Sequence, residues 1–165
     1  MPIKIFLADD HKLIRDGLRR LLSDQPDMTV VGEASDGRTA VQSAAKLSPD
    51  VVIMDISMPG LNGIEATRQI VKADSETKVI ALSMHFQRRM ILEMINAGAA
   101  GYLLKECAFD EVVHAVRAVT ASGTYLSPKI TDLVLNEYVR RIPKSDMSPL
   151  TVLSPREREI FATGG

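Results

Sequence analysis

Residues 50–65 read DVVIMDISMPGLNGIE: an apolar run from Val51 to Met54, an acid at Asp55, and then Met, Pro, Gly, Asn and Gly. A short run without polar alternation suits a strand covered on both faces, and such strands build parallel sheets flanked by helices. Four other runs have this character: IKIFLA (3–8), MTVVGEA (28–34), KVIALS (78–83) and GYLLK (101–105). The stretches between them, HKLIRDGLRRLLSDQ, GRTAVQSAAKLS, GIEATRQIVKA, FQRRMILEMINAG and AFDEVVHAVRAVTASG, carry apolar residues at helical spacing. Leu18, Leu21 and Leu22 form one such stripe, and Val112, Val113 and Val116 another. Asp36 suits an N-cap, and Gly98 and Gly123 suit helix ends. Five strands alternating with helices predict an α/β protein with a doubly wound, five-stranded parallel sheet.

The bulk properties agree. A chain of 165 residues with 45% hydrophobic side chains can bury the core of one ordinary domain and carry an appendage. No apolar run approaches the roughly 20 residues of a membrane helix, and MPIKIFLADDHK lacks the organisation of a signal peptide, so we expect a cytoplasmic protein without membrane association. The single cysteine, Cys107, cannot form an internal disulfide, and no Cys/His set has zinc-ligand spacing. A net charge of -1 gives no basic field, so these residues alone are not expected to bind nucleic acid tightly.

In doubly wound sheets, ligands bind beyond the carboxyl ends of the strands. The first strand ends in Asp9 and Asp10, the third in Asp55, the fourth in Ser83 and the fifth in Lys105. Singly, each has a plain structural explanation: Asp10 could cap the next helix, Asp55 could hold the MPG turn, and Ser83 and Lys105 could begin loops. Together, three carboxylates repel unless a counter-charge joins them. Lys105 supplies part of it, and an oxygen-rich set with about two negative charges left over suits Mg²⁺. A carboxylate can act as a nucleophile, and phosphoryl transfer needs chiefly alignment and positive charge on the transferring oxygens.

With the Asp9–Asp10 pair, Asp55 followed by MPGLNG, Ser83 and Lys105 at successive strand ends, residues 3 to about 122 resemble the receiver (CheY-like) domain of bacterial two-component response regulators. The resemblance implies a flavodoxin-like strand order, 2-1-3-4-5. It implies that Asp55 accepts a phosphoryl group from a sensor histidine kinase, that Asp10 binds Mg²⁺ directly and Asp9 mostly through water, and that the backbone carbonyl of Ser57 joins Asp55 as a ligand. Asp55 would then emerge where the sheet meets water rather than within the core. Phosphorylation adds roughly -1.5 to -2 charge, drawing in the Ser83 hydroxyl and the Lys105 ammonium. Tyr102, three residues before Lys105, would report the state, the alternative being a strand-end tyrosine with its hydroxyl in water. The output face would be the fourth helix, fifth strand and fifth helix. Ser57 and His85, two residues after Asp55 and Ser83, would border the path of attacking water and tune the phosphoryl lifetime. Such a protein catalyses only its own phosphorylation and slow dephosphorylation. The family often has Pro after the Lys; here Glu106 leaves that loop's geometry open.

Other chemistries fit less well. A haloacid-dehalogenase-like phosphatase uses D-x-D, whereas D-I-S places Ser57 where the acid and base would stand. ADDHKLIRDG contains no phosphate-binding glycine loop. In PGLNG, Pro59 pre-sets φ while Gly60 and Gly63 tolerate unusual φ, which is a turn signature. His11, His85 and His114 form no metal triad with Cys107, and His114 reads as an exposed helical position.

These features divide the chain into a receiver at 1–123, a linker with a helix at 124–150, and a further module beginning at 151–165. Pro128 suits a helix start, with Ile130, Leu133, Val134 and Tyr138 as its stripe, and IPKSDMSPL reads as a flexible connector. LSPREREIF combines Ser154, Pro155 and Glu157 in a capping-box start. It resembles the opening of the helix-turn-helix domain in NarL/FixJ (LuxR-type) regulators, here apparently truncated before a recognition helix could form. The resemblance implies a transcription regulator that dimerises on activation and meets DNA only through that further domain. The alternative is a stand-alone receiver signalling by protein contact.

Overall fold

The computed structural model describes residues 1–84 and 87–141. Their elements alternate as the sequence predicts: β1 Ile3–Ala8, α1 Lys12–Ser23, β2 Met28–Ala34, α2 Gly37–Leu47, β3 Val51–Asp55, α3 Gly63–Ala73, β4 Lys78–Ser83, α4 Arg88–Asn96, β5 Gly101–Leu104 and α5 Ala108–Ser122. Two further elements follow, β6 Tyr125–Leu126 and α6 Pro128–Arg141. All strand pairings are parallel, in the order β2-β1-β3-β4-β5-β6. The expected order 2-1-3-4-5 is present, and the expected count of five strands becomes six. The addition pairs Gly101 with Tyr125 and Tyr102 with Leu126, too short a segment to show periodicity in sequence. The fifth strand also ends one residue early, because Lys105 opens a 3₁₀ turn through Cys107.

Every residue of β3 is buried, as expected of a central strand with helices on both faces. On one face Ile5, Leu7, Ile53, Ile80, Leu82 and Leu103 meet Leu18 and Leu22 of α1 and Val112, Val116 and Val119 of α5. On the other, α2 contacts α3 and α3 contacts α4. The alternation of strand side chains supplies both layers from one sheet.

Local chemistry sets the helix ends. Asp36 accepts from the Thr39 N–H at 2.8 Å and from its hydroxyl at 3.0 Å, so the predicted cap on α2 forms. Asn62 accepts from the Glu65 N–H at 3.0 Å and starts α3. Gly123 closes α5 at φ 93°, and Gly98 follows α4 at φ 109°, both left-handed positions that disfavour a side chain. Gly60 likewise has φ 72°, whereas Gly63 does not lie in that region. Its requirement is proximity: a Cβ there would sit 2.2 Å from the Asp55 carbonyl oxygen.

The chain divides into two units, residues 1–130 and 131–165. The helix predicted to begin at Pro128 is α6, and the Ser127 hydroxyl accepts from the Ile130 N–H at 3.4 Å. The connector after Arg141, the capping box at Ser154 and His85 lie outside the described residues. Among the described residues, no helix is long and apolar enough to cross a membrane.

Candidate functional site

Parallel strands end on the same side, so β3 and β4 deliver their last side chains, and β1 and β5 the residue that follows each, to one edge. Asp9, Asp55, Ser83 and Lys105 are all buried there, although each is polar or charged. Their compensation is mutual. Lys105 Nζ lies 3.1 Å from Asp9 Oδ2, 3.2 Å from Asp55 Oδ2 and 2.9 Å from His11 Nδ1. The Ser57 N–H donates to Asp55 Oδ1 at 3.2 Å, and the His11 N–H donates to Asp9 Oδ1 at 2.7 Å. Asp10 stands at the rim, its side chain 34% exposed.

Asp55 is only 2% exposed, which corrects the expectation that its carboxylate meets water. Lys105, reaching in from the 3₁₀ turn after β5, and Asp9, just past the end of the neighbouring β1, enclose it. Burial, and then the charge of Asp9, push the Asp55 carboxyl up to about 6, against the opposing pull of Lys105. One lysine is therefore not a full counter-charge. Beyond their ion pairs with Lys105, the buried Asp9 Oδ2 and Asp55 Oδ2 accept no hydrogen bond among the described residues. Such atoms suit a cation, and Asp9, Asp10, His11 and Asp55 can each bring a ligand atom within 4.8 Å of the others. The oxygen-rich donor set therefore fits the divalent ion expected from sequence.

Tyr102 does not place its ring in solvent. It is fully buried, and burial raises its phenol pKa against a hydrogen bond with Ser83 that lowers it. The predicted switch hydroxyl and the predicted reporter tyrosine are thus in direct contact.

The family model for the response regulator receiver domain matches residues 5–117. The chain belongs to the response regulators. It is 41% identical over 159 residues to the response regulator UvrY of Escherichia coli K12, covering 96% of this chain and 72% of that one. It is 37% identical over 172 residues to the transcriptional regulatory protein DegU of Brevibacillus brevis, covering 96% of this chain and 73% of the relative. Among solved structures, a LuxR-family two-component response regulator from Aurantimonas sp. SI85-9A1 superposes with a TM-score of 0.77 at 36% identity. That match covers 84% of this chain and 99% of the other. The receiver fold is shared, and the relatives include regulators of transcription.

Two residues at the site of this response regulator, His11 and Arg15, are not legible as such in the sequence. His11 was set aside as lacking a metal triad, yet its ring joins the acidic cluster. Arg15 Nη1 donates to the Asp9 carbonyl at 2.6 Å and its Nε to Glu33 at 3.0 Å, fixing the end of β1 from α1. Burial raises the Glu33 carboxyl, but the hydrogen bonds and charges of Arg19 and Arg15 outweigh it and leave the pKa lowered. The only sequence signal for Arg15 was its position one helical turn after His11. His114 is exposed on α5, as expected, with its ring edge-on to Tyr125 at 5.3 Å.

Proposed function

We propose that Asp55 is the phosphoacceptor of this response regulator and that its phosphorylation controls transcription. The supporting observation is the buried Asp55 carboxylate at the end of β3, with one oxygen 3.2 Å from the Lys105 ammonium and its pKa raised by burial. Response regulators take phosphoryl groups from histidine kinases. In the step proposed here, an Asp55 oxygen attacks phosphorus, the phosphorus–nitrogen bond of the donor breaks, and its electron pair returns to the donor nitrogen. The product is an acyl phosphate.

Receiver domains bind Mg²⁺ at an acidic pocket, and Asp9, Asp10, Asp55 and the Ser57 carbonyl would hold it here. When bound, the ion neutralises charge on the phosphoryl oxygens. Lys105 already stands between Asp9 and Asp55 and can move its ammonium onto a phosphoryl oxygen once that group carries charge. Ser83 would leave Tyr102 to donate to the same group, which makes their hydrogen bond a device that one state keeps and the other breaks. Ser57 and His85 border the path of water in this reading and set the lifetime of the acyl phosphate. Residues 124–150 link the receiver to a helix-turn-helix module opening at 151–165, through which a homodimer would meet DNA.

Incubation with Mg²⁺ and phosphoramidate should place one hydroxylamine-sensitive phosphoryl group on the protein, detected by intact mass, and Asp55→Asn should carry none. Equal labelling of Asp55→Asn would remove the assignment.

A further inference from the structure

His11 is unused by the phosphoacceptor mechanism, yet it sits in the same pocket. It precedes α1 without capping it, and its side chain is 57% exposed. Nδ1 lies 2.9 Å from Lys105 Nζ, 3.1 Å from Asp9 Oδ1 and 3.2 Å from Asp10 Oδ1. An ammonium donates and never accepts, so in the tautomer that carries its proton on Nε2 the ring meets Lys105 through the Nδ1 lone pair. In that tautomer the Nδ1 lone pair also faces two carboxylate oxygens. Acceptors gathered at hydrogen-bond distance repel, and a cation among them relieves the repulsion. The buried Asp9 Oδ2 and Asp55 Oδ2, which beyond their ion pairs with Lys105 accept no hydrogen bond among the described residues, border the same space.

We propose that His11 is a nitrogen ligand to the ion held by Asp9, Asp10 and Asp55, and that it biases the pocket from Mg²⁺ toward Mn²⁺, Co²⁺ and Ni²⁺. The inference rests on the acidic-pocket reading of the metal site. Mg²⁺ is hard, keeps its waters and favours oxygen, whereas imidazole is a good ligand for the later divalent metals. The main chain keeps the ring in reach, because the His11 N–H is tied to Asp9 Oδ1 at 2.7 Å. The exposed ring needs only a side-chain rotation to exchange Lys105 for an ion. Lys105 is then released from Nδ1 as the ion binds, so the same residue couples metal occupancy to the lysine.

The test is calorimetric titration of the full chain with Mg²⁺, Mn²⁺, Co²⁺ and Ni²⁺, alongside His11→Ala, His11→Gln and the double variant Asp9→Asn/Asp10→Asn. His11→Ala should weaken Ni²⁺ and Co²⁺ about tenfold or more while changing Mg²⁺ less than about twofold. Bound Mn²⁺ should show a ¹⁴N coupling by pulsed electron paramagnetic resonance in the parent protein and none in His11→Ala. Equal weakening of all four ions would mean that His11 acts only through Lys105, and unchanged affinities would mean that it does not bind; either result overturns the proposal. Full retention of binding in the Asp9→Asn/Asp10→Asn variant would instead refute the acidic pocket itself, and with it this inference. Thermal melts of His11→Ala check folding, and no cap is lost by the substitution.

Discussion

At the scale of single residues, the site is held together by charges that are incompletely balanced. Asp55 has its carboxyl raised from an ordinary 3.8 to about 6. Its folded value lies above its unfolded one, so the stability it lends is complete below about pH 4 and is lost as the pH rises through about 6. Without metal, ionising Asp55 in place costs about 3 kcal/mol by pH 7. Asp55→Asn should therefore be more stable than the parent at pH 7 by up to that amount in urea unfolding with chelator present, the gain vanishing near pH 4. A variant equally stable or weaker at pH 7 would show that Lys105 fully compensates the pair. Lys105 works in the opposite direction. Lys105→Met leaves Asp9 and Asp55 facing each other and should destabilise the metal-free protein by about 3 kcal/mol at pH 7, with a smaller deficit at pH 5 as Asp55 takes up a proton. An unchanged urea midpoint would rule out the two ion pairs at 3.1 and 3.2 Å as stabilising contacts.

At the scale of elements, backbone packing places the carboxylate. The Gly63 N–H donates to the Ile56 carbonyl at 2.9 Å, and its α-carbon lies so close that a Cβ would meet Ile56 Cα at 2.7 Å as well as the Asp55 carbonyl. Gly63→Ala must shift either α3 or the end of β3. It should cost about 3 kcal/mol and lower phosphoryl labelling, whereas Asn62→Ala, one residue earlier, loses a cap for about 1 kcal/mol and leaves labelling intact. Chemical denaturation with labelling yields separates the two, and equal losses in both would deny Gly63 a positioning role. This glycine also marks where the sequence became hard to read. The first four strands are legible to the residue, and in β1, β3 and β4 this is because buried runs end abruptly at polar side chains. PGLNG is legible as a turn, but which glycine serves φ and which serves proximity depends on what lies across the gap. Lys105 was legible by its position after an apolar run, although the run does not show that the strand stops at Leu104 and a 3₁₀ turn carries the ammonium inward. His11 and Arg15 were obscured for another reason. Their partners are carboxylate and carbonyl oxygens at strand ends, contacts that leave no periodicity in the chain.

At the scale of the whole molecule, the β-strand ends couple stability in residues 1–130 to whatever cation the site holds. An ion that binds the folded protein and not the unfolded chain stabilises it by about 2.7 kcal/mol at a hundredfold excess over its Kd, a shift of roughly 8 °C in Tm for a domain of this size. The proton on Asp55 competes with that ion. With the carboxyl at about 6, most of the protein is ionised at this position at pH 8, whereas at pH 5 the ion must displace a proton, and its apparent affinity falls about tenfold. At one fixed concentration of Mg²⁺, the stabilisation should then halve between pH 8 and pH 5, to about 1.4 kcal/mol. The sign is opposite to the metal-free behaviour of Asp55, whose ionisation weakens the fold, so adding Mg²⁺ should flatten the decline in stability between pH 4 and pH 7. Differential scanning calorimetry with Mg²⁺ or with chelator at the two pH values measures both effects. Equal Tm shifts at pH 5 and pH 8 would separate the ion from Asp55 and leave the raised carboxyl without a role in holding it.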